Sequence, residues 1–203
     1  MKAIDFVLAG VGGQGILLSS DILCLVGMIA GYDVKKTDVH GMAQRGGSVI
    51  SHVRLADHVY SPMVPVGGAD VLLAFEKLEA CRWLHYLRSD GVAVVNDEAI
   101  PTLALESRLP YPDDAAILSL LQARARRVDL LSAGALATQL GNVRVANVIL
   151  LGALSCSLDI PVAVWQRAVA ERVPAKAREL NLRAFELGRA EATRRGETLS
   201  ALP

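Results

Sequence analysis

The feature that most constrains the fold is a glycine-rich turn near the beginning of the chain. The short apolar run Ile4–Ala9 is followed by Gly-Val-Gly-Gly-Gln-Gly at positions 10–15 and then by the apolar stretch Ile16–Ala30. A short apolar run that ends in glycines is typical of a buried parallel strand, and a longer stretch that is apolar on all sides is typical of a buried helix. The order therefore predicts a strand, a tight turn and a helix.

Segments with strand and helix patterns alternate along most of the chain. Strands are predicted at Val34–Val39, Ser48–Leu55, Val71–Phe75, Val92–Val95 and Val128–Leu131. Helices are predicted from Glu76 to about Leu87, from a cap at Asp113 to about Arg126, from Gly134 to about Leu158, over Val162–Val173 and over Ala175–Arg195, with Ser89-Asp90-Gly91 as a turn. Such alternation predicts a three-layer α/β/α fold around a largely parallel, Rossmann-like sheet, with a helical C-terminal region. We expect a single domain over residues 1–190 and a frayed tail over 191–203.

The composition argues against several classes of function. Lys and Arg together number 21, as do Asp and Glu, so no overall field attracts nucleic acid or anionic lipid. Aromatic residues make up only 4 %, which disfavours base stacking on nucleic acid. The very apolar segment Val143–Leu158 is too short to span a bilayer, and we expect a cytoplasmic protein without a signal peptide. The mean hydropathy of +0.36 is high for a soluble protein without a membrane span, and it favours both a closely buried fold and apolar surface that faces a partner subunit.

The cysteines and histidines show no metal-binding pattern. Cys24, Cys81 and Cys156 are far apart and form no Cys-x-x-Cys pair, which argues against a zinc ribbon or a self-contained iron–sulfur site. Each cysteine lies in an apolar helical stretch, where a free thiol is usually a small core residue. No metal site is expected in this chain.

The glycine turn admits two interpretations. Glycines allow positive φ angles and let the backbone approach a pyrophosphate, while the N-terminus of the following helix favours an anion. The turn would then bind a phosphate-bearing ligand. Alternatively, the glycines only let the strand and the helix pack closely. An acidic residue at the end of the second strand, Asp38, would suit a nicotinamide dinucleotide, but the segment from Thr37 to Gly47 is not typical of a dehydrogenase.

A combination of motifs resembles the gamma-type domain of the 2-oxoacid:ferredoxin oxidoreductases. Its marks are the glycine turn, Gln-Arg-Gly-Gly at 44–47, Tyr-Ser-Pro at 60–62, a helix with Asn147 and Gly152, and the segment Asn181–Gly188. The strings DVHGMAQRGGSV and ADVLLAFEKLEACR are most similar to the indolepyruvate branch of that family. The glycine turn alone is generic, whereas the ordered combination, from about residue 3 to about residue 190, is distinctive.

The resemblance implies a subunit of an enzyme that decarboxylates a 2-oxoacid on thiamine diphosphate. Electrons then pass through iron–sulfur clusters to ferredoxin, and coenzyme A usually takes the acyl group. In the indolepyruvate branch a large, alpha-type partner subunit carries the thiamine diphosphate and the clusters, so this chain would be the small, non-redox subunit of a hetero-oligomer. The sequence agrees, because Asp90-Gly91 lacks the preceding glycine expected of a thiamine diphosphate motif. The branch implies an aryl pyruvate such as indolepyruvate as the substrate.

The residues expected to bind a ligand come from three segments. We expect them near the interface with the large subunit, where they would position coenzyme A or close the active site. Arg45 offers a planar fork suited to phosphate or carboxylate, or else pairs with a carboxylate such as Asp38 to hold its loop. The complete predicted set is Gly12, Gly13, Gln14, Gly15, His40, Gln44, Arg45, Gly46, Gly47 and Asn147, with no catalytic and no metal-binding residue.

Several members of this set also have a structural interpretation. His40 would donate to a ligand carboxylate or pair locally. Gln14 and Gln44 would orient a ligand or satisfy the backbone of their loops. Asn147, in an otherwise apolar helix, would tie that helix to a neighbouring loop or join the pocket, because a buried Asn needs partners.

Three other functions stay open at this point. A stand-alone NAD(P)-binding oxidoreductase would use the glycine turn and Asp38. An adenylating enzyme would bind ATP on a similar turn, but the catalytic cysteine and Cys-x-x-Cys pairs common in that class are not visible. A purely structural subunit would bind nothing at the turn.

Overall fold

The structure, a computed structural model, describes residues 2–40, 47–100 and 110–194. Its strands are β1 (Ile4–Val11), β2 (Asp33–His40), β3 (Ser48–Ala56), β4 (Ala69–Ala74), β5 (Leu87–Asn96) and β6 (Arg127–Leu131). Its helices are α1 (Ile16–Ile29), α2 (Lys77–Trp83), α3 (Asp114–Arg124), α4 (Ala133–Gln139), α5 (Ala146–Ser155), α6 (Val162–Arg172) and α7 (Arg178–Arg194). Short 3₁₀ turns cover Leu84–Tyr86, Val143–Val145 and Ala175–Ala177.

The strands form one mixed sheet in the order β2-β3-β1-β4-β5-β6. The four strands β1, β4, β5 and β6 pair in parallel. β3 pairs antiparallel with both β1 and β2, so it is the one strand of the described sheet that runs against the others. The predicted α/β fold with a largely parallel sheet is confirmed.

Apolar side chains on both faces of the sheet produce the predicted three layers. Along β1, Phe6 and Leu8 face one layer while Val7 and Ala9 face the other, because successive residues of a strand point to opposite sides. The first layer contains α1, α4, α5, α6 and α7, and the second contains α2 and α3. Since β1 is buried on both faces from Phe6 onward, its sequence from Phe6 to Ala9 is a continuous apolar run rather than an alternating one.

The predicted turn at Ser89-Asp90-Gly91 was wrong, as was the predicted end of the helix before it. That helix, α2, ends at Trp83, and β5 already begins at Leu87. Leu87 pairs with Ala69 of β4, after which the register shifts before the pairing of β4 with β5 resumes. The turn-forming residues are therefore accommodated as an irregularity inside a strand, because pairing with β4 continues on both sides of them.

The predicted C-terminal helices also differ in their bounds. The helix expected from Gly134 to Leu158 is interrupted after Gln139, where Gly141 adopts a φ of +83°. α7 runs to Arg194, so residues 191–194 are helical rather than part of a frayed tail, and Ala192 is only 2 % exposed. Residues 195–203 lie outside the described part of the chain.

Helices α5 and α7 approach so closely that each carries a glycine at the contact. A Cβ atom on Gly152 would lie 2.1 Å from the carbonyl oxygen of Phe185, and one on Gly188 would lie 1.9 Å from the carbonyl oxygen of Ile149. Both obstructing atoms belong to the backbone, so no side chain can move aside. The two glycines thus set the distance between the helices that support the first layer.

The imidazole of His52 is a buried group without a full set of partners. His52 lies in β3, is 1 % exposed and makes an edge-on contact with Tyr86 at 5.0 Å between ring centroids. Within the described residues its Nδ1 atom has no hydrogen-bond partner. Burial lowers the pKa of His52 below its ordinary value of 6.5, so the folded chain favours the neutral ring.

Gly188→Ala is expected to lower the free energy of unfolding by about 1–3 kcal/mol or more, the range for overpacking, because α5 and α7 must separate. Gly134→Ala in α4 is the matched control, since a Cβ atom there meets nothing within 4 Å and alanine is the better helix former. Urea unfolding followed by circular dichroism measures both variants. A Gly188→Ala chain as stable as the control would contradict the close helix contact.

The stability of the chain is expected to depend on His52 below about pH 6.5. Its pKa is lower in the folded than in the unfolded chain, so the unfolded chain takes up the proton first and stability falls as the pH falls through that range. His52→Phe keeps a ring beside Tyr86 and removes the titration. The free energy of unfolding of the wild type minus that of the variant should be constant at alkaline pH and decrease below about pH 6.5. If the difference in the free energy of unfolding between wild type and variant does not change with pH, this assignment is refuted.

Candidate functional site

An open cavity of about 370 Å³ lies where β1, β4 and β5 end. The carboxyl ends of parallel strands are the usual place for ligands in open α/β sheets, beside the point where strand order reverses. Its walls also include the N-terminal parts of α1 and α5. The lining residues are Gly13, Gln14, Gly15, Leu18, Phe75, Asn96, Glu98, Val143, Arg144, Ala146, Asn147 and Leu150.

The glycine turn has the strand–turn–helix geometry that its sequence predicts. Gly13 and Gly15 adopt φ angles of +110° and +84°, which side chains other than glycine rarely tolerate. Gly15 is the N-cap of α1, and no side chain caps this end of the helix. The N–H group of Gly12 donates to the carbonyl oxygen of Gly47 at 2.9 Å, which joins the turn to the residue just before β3.

The side chain of Gln14 hydrogen-bonds to the backbone at the ends of the neighbouring strands β1 and β4. Its Oε1 atom accepts from the N–H of Val11 at 2.7 Å, and its Nε2 atom donates to the carbonyl oxygen of Phe75 at 2.9 Å. The same Nε2 atom lies 3.3 Å from Oε2 of Glu98. The amide of Gln14 therefore satisfies loop and strand backbone, and its role in orienting a ligand stays a prediction.

Two further residues of the site, Asn96 and Glu98, were missed at the sequence level. The buried Asn96 donates from Nδ2 to the carbonyl oxygen of Phe75 at 3.2 Å and to Oε2 of Glu98 at 2.8 Å. Its Oδ1 atom accepts from the N–H of Ala133 at 3.0 Å and so caps the beginning of α4. The sequence did carry a signal for these two residues, because the polar run 96–98 directly follows the apolar run Val92–Val95. In a parallel sheet, residues in that position lie beside the glycine turn.

Asn147 also lines the cavity, in the first turn of α5. It is 3 % exposed, and its Nδ2 atom lies 3.5 Å from the carbonyl oxygen of Gly15. A Cβ atom on Gly15 would lie 2.7 Å from that same Nδ2 atom. The glycine therefore serves close packing against Asn147 as well as the positive φ, and the predicted tie between helix and loop is present.

The loop that carries Arg45 is only partly described. Gln44, Arg45 and Gly46 lie outside the described residues, as does the side chain of His40 at the end of β2. Of that segment, only Gly47 is brought to the glycine turn within the described part.

A buried acid holds the strand that follows this loop. The carboxylate of Glu79 in α2 is fully buried and accepts a short hydrogen bond from Oγ of Ser48, the first residue of β3. Trp83 donates from Nε1 to both groups at 3.1 Å, and Nε of Arg82 lies 2.8 Å from Glu79. This network fixes the start of β3, and nothing in the periodicity of the sequence indicated it.

Asp38 does not occupy the position that a nicotinamide dinucleotide site requires. β3 lies between β1 and β2, so Asp38 is two strands away from the strand that leads into the glycine turn. Its carboxylate is engaged by Nζ of Lys36 at 3.0 Å and by Oγ of Ser51 at 2.6 Å. The strand order thus disfavours the stand-alone dehydrogenase.

The described residues offer little for metal or thiol chemistry. Over 2–40, 47–100 and 110–194, no group of three or more His, Cys, Asp or Glu side chains could hold a metal ion. Burial raises the pKa of the Cys24 thiol to about 11 and also raises that of Cys81, so both are protonated and weakly nucleophilic near neutral pH. In the same ranges, no helix has both the length and the apolar character needed to cross a membrane.

Solved structures share this fold over nearly the whole chain. The gamma subunit of a keto/oxoacid ferredoxin oxidoreductase from Geobacter sulfurreducens superposes with a TM-score of 0.71 at 24 % identity, covering 94 % of this chain and 99 % of that one. The 2-oxoglutarate:ferredoxin oxidoreductase from Magnetococcus marinus gives 0.76 at 21 % identity, covering 96 % of this chain but 32 % of that one. In the second protein the same fold is therefore one part of a longer chain.

Sequence comparison is more specific. The chain is 40 % identical over 192 residues to indolepyruvate oxidoreductase subunit IorB of Pyrococcus horikoshii, covering 93 % of this chain and 95 % of the relative. It is 27 % identical to 2-oxoglutarate synthase subunit KorC of Methanothermobacter thermautotrophicus, covering 90 % and 91 %. The sequence profile of the pyruvate ferredoxin/flavodoxin oxidoreductase family matches residues 5–191. With its fold, its glycine turn and nearly its full length in agreement, the chain belongs to the pyruvate ferredoxin/flavodoxin oxidoreductase family.

Proposed function

We propose that the chain is the small subunit of an indolepyruvate:ferredoxin oxidoreductase. The observation that carries this proposal is the 40 % identity to an IorB subunit over 93 % of the chain. Because 95 % of that relative is covered, the likeness extends over a whole subunit. The lower identity of 27 % to a 2-oxoglutarate synthase subunit favours an aryl pyruvate over 2-oxoglutarate as the substrate.

A large, alpha-type partner subunit would carry the redox chemistry of the complex. Thiamine diphosphate bound there would supply the decarboxylation of the 2-oxoacid, and iron–sulfur clusters would pass the electrons to ferredoxin. The cysteines of this chain do not suit cluster ligation, because their spacing lacks the cluster pattern and burial keeps Cys24 and Cys81 protonated. The cytoplasm is the proposed location, in keeping with three free cysteines.

The contribution of this chain would be a preformed binding surface for coenzyme A at the cavity. The Magnetococcus marinus enzyme of the same fold was solved with 2-oxoglutarate, coenzyme A and succinyl-CoA bound. The bond between Gly12 and Gly47 brings the end of the loop of Arg45 to the glycine turn. We place the guanidinium of Arg45 on a phosphate of coenzyme A, where its planar fork can make two charged hydrogen bonds.

Arg45→Ala is expected to weaken coenzyme A binding by about 1.5–3 kcal/mol, the scale for charged hydrogen bonds, which corresponds to about a 10- to 150-fold higher KM for coenzyme A. The measurement is the steady-state rate of ferredoxin or viologen reduction by the purified complex at varied coenzyme A. Arg167→Ala is the control, since Arg167 is exposed on α6 and pairs with Glu171. Equal kinetics in both variants would mean that Arg45 contacts no ligand.

The large subunit should be recovered with this chain. An affinity-tagged chain, purified anaerobically from its native host, is expected to bring down an iron–sulfur and thiamine diphosphate protein. The recovered complex should reduce ferredoxin or viologen with aryl pyruvates, because the clusters and the decarboxylation site would both be present. A chain that purifies alone and binds a nucleotide tightly would instead support an independent nucleotide-binding enzyme.

A further inference from the structure

Strand β2 lies at one edge of the sheet. Among the described strands, it pairs with β3 on one side and has no neighbour on the other. The outer side of an edge strand presents backbone N–H and C=O groups, with which another strand can pair. Many proteins prevent such pairing with charged side chains, above all lysine, and β2 carries Lys35 and Lys36. Whether a second strand can bind here therefore depends on how these two charges are balanced.

Each lysine of β2 has a carboxylate partner. The Nζ atom of Lys36 lies 2.7 Å from Oδ1 of Asp21 in α1 and 3.0 Å from Oδ2 of Asp38, which is on the same face of β2. The Nζ atom of Lys35 lies 2.9 Å from Oδ1 of Asp33. The strand thus contains two lysines and two aspartates, and it carries no excess charge from these residues that would repel a strand of the same sequence.

A second copy of β2 complements this pattern when the two strands run antiparallel around a two-fold axis beside Thr37. Such an axis is perpendicular to the sheet, so directly opposite residues lie on the same face. Thr37 is then opposite Thr37 of the second copy, and on both sides of the axis Lys36 of one copy is opposite Asp38 of the other. Thr–Thr pairs and pairs of opposite charge stabilise an antiparallel ladder. A pattern that is its own complement is what a symmetric contact between identical chains requires.

Helix α1 exposes apolar side chains beside the same edge. Leu17 is 41 % exposed and Met28 is 52 % exposed. Asp21 lies four residues after Leu17 and seven before Met28, so the three side chains form one stripe along the helix. The ion pair of Asp21 with Lys36 shows that this stripe is next to β2. Because the axis keeps both α1 helices on one face of the sheet, a second copy brings a second apolar stripe alongside the first.

We propose that β2 is an interface between two copies of this chain, in which the two β2 strands pair antiparallel and join both six-stranded sheets into one continuous sheet. An assembly built on this contact contains the chain in pairs. The paired residues Lys36, Thr37 and Asp38 do not line the cavity beside the glycine turn. The contact is therefore independent of the proposed function, and a chain without turnover dependent on coenzyme A would still form it.

Thr37→Cys tests the position of the axis. Directly opposite residues of an antiparallel pair have Cα atoms about 4.5–5.5 Å apart, which is within the range of a disulfide, so this variant should cross-link to its second copy. Val39→Cys is the matched control on the same face of β2. Its two copies would be about 14 Å apart along the strands, too far for a disulfide. The three native cysteines are present in both variants and give the same background.

The full chain, alone and in the purified complex, is oxidised with diamide and separated on a non-reducing denaturing gel. Most of the Thr37→Cys chain should migrate at twice the mass of the Val39→Cys chain. Equal cross-linking of the two variants, or none in either, would overturn the proposal. So would a Thr37→Cys thiol that the complex protects from a maleimide without forming the cross-link, because the large subunit would then cover this edge.

Sedimentation equilibrium of the full chain gives an independent test. Thr37→Asp places two carboxylates opposite each other at the axis, and this repulsion is expected to raise the Kd of the dimer about tenfold. Val39→Asp adds the same charge to the same strand but lies opposite Lys35 of the second copy, so it should not raise the Kd. A monomeric wild-type chain, or an equal rise in Kd for both variants, would contradict the two-fold contact.

Discussion

The carbonyl oxygen of Phe75 is the acceptor on which the arrangement of the site depends. It follows β4, and it receives both the amide of Gln14 from the glycine turn and the amide of Asn96 from the end of β5. Three neighbouring strands are thereby joined at their carboxyl ends by side chains. Because each amide also reaches Glu98, a shift of one strand end would disturb the others.

The packing of the sheet and of helices α5 and α7 holds these strand ends in position. The sheet is buried on both faces, and α5 is held against α7 through backbone contacts at Gly152 and Gly188. α5 begins beside the glycine turn, so its position determines where Asn147 and Arg144 lie. The close contact between α5 and α7 therefore positions the part of the cavity that Asn147 and Arg144 line.

The cavity is lined by charged side chains of both signs. A glycine turn before a helix is commonly associated with phosphate, but here the turn is bonded to the carboxylate of Glu98. Arg144 also lines this cavity. A carboxylate and a guanidinium therefore line the same open cavity, which distinguishes this turn from a simple anion site.

The sequence by itself determined the local elements. The strand, turn and helix around residues 4–29 follow from an apolar run, glycines and a second apolar run, since each element depends on neighbouring residues. The order of strands and helices was sufficient for the layers and the class of fold, and motifs over nearly the whole length were sufficient for the family. The cap at Asp113 was also predictable, because its carboxylate accepts from the N–H of Ala116 three residues later.

Only the tertiary structure decided which distant residues meet. The inverted strand β3 separates Asp38 from the turn, and pairing with β4 continues β5 through residues that favour a turn. Glu98 and Arg144 line the same cavity because the end of β5 and the start of α5 lie beside the same glycine turn. Local pattern carries no information about such contacts, since they depend on strand order, register and the distance between packed helices.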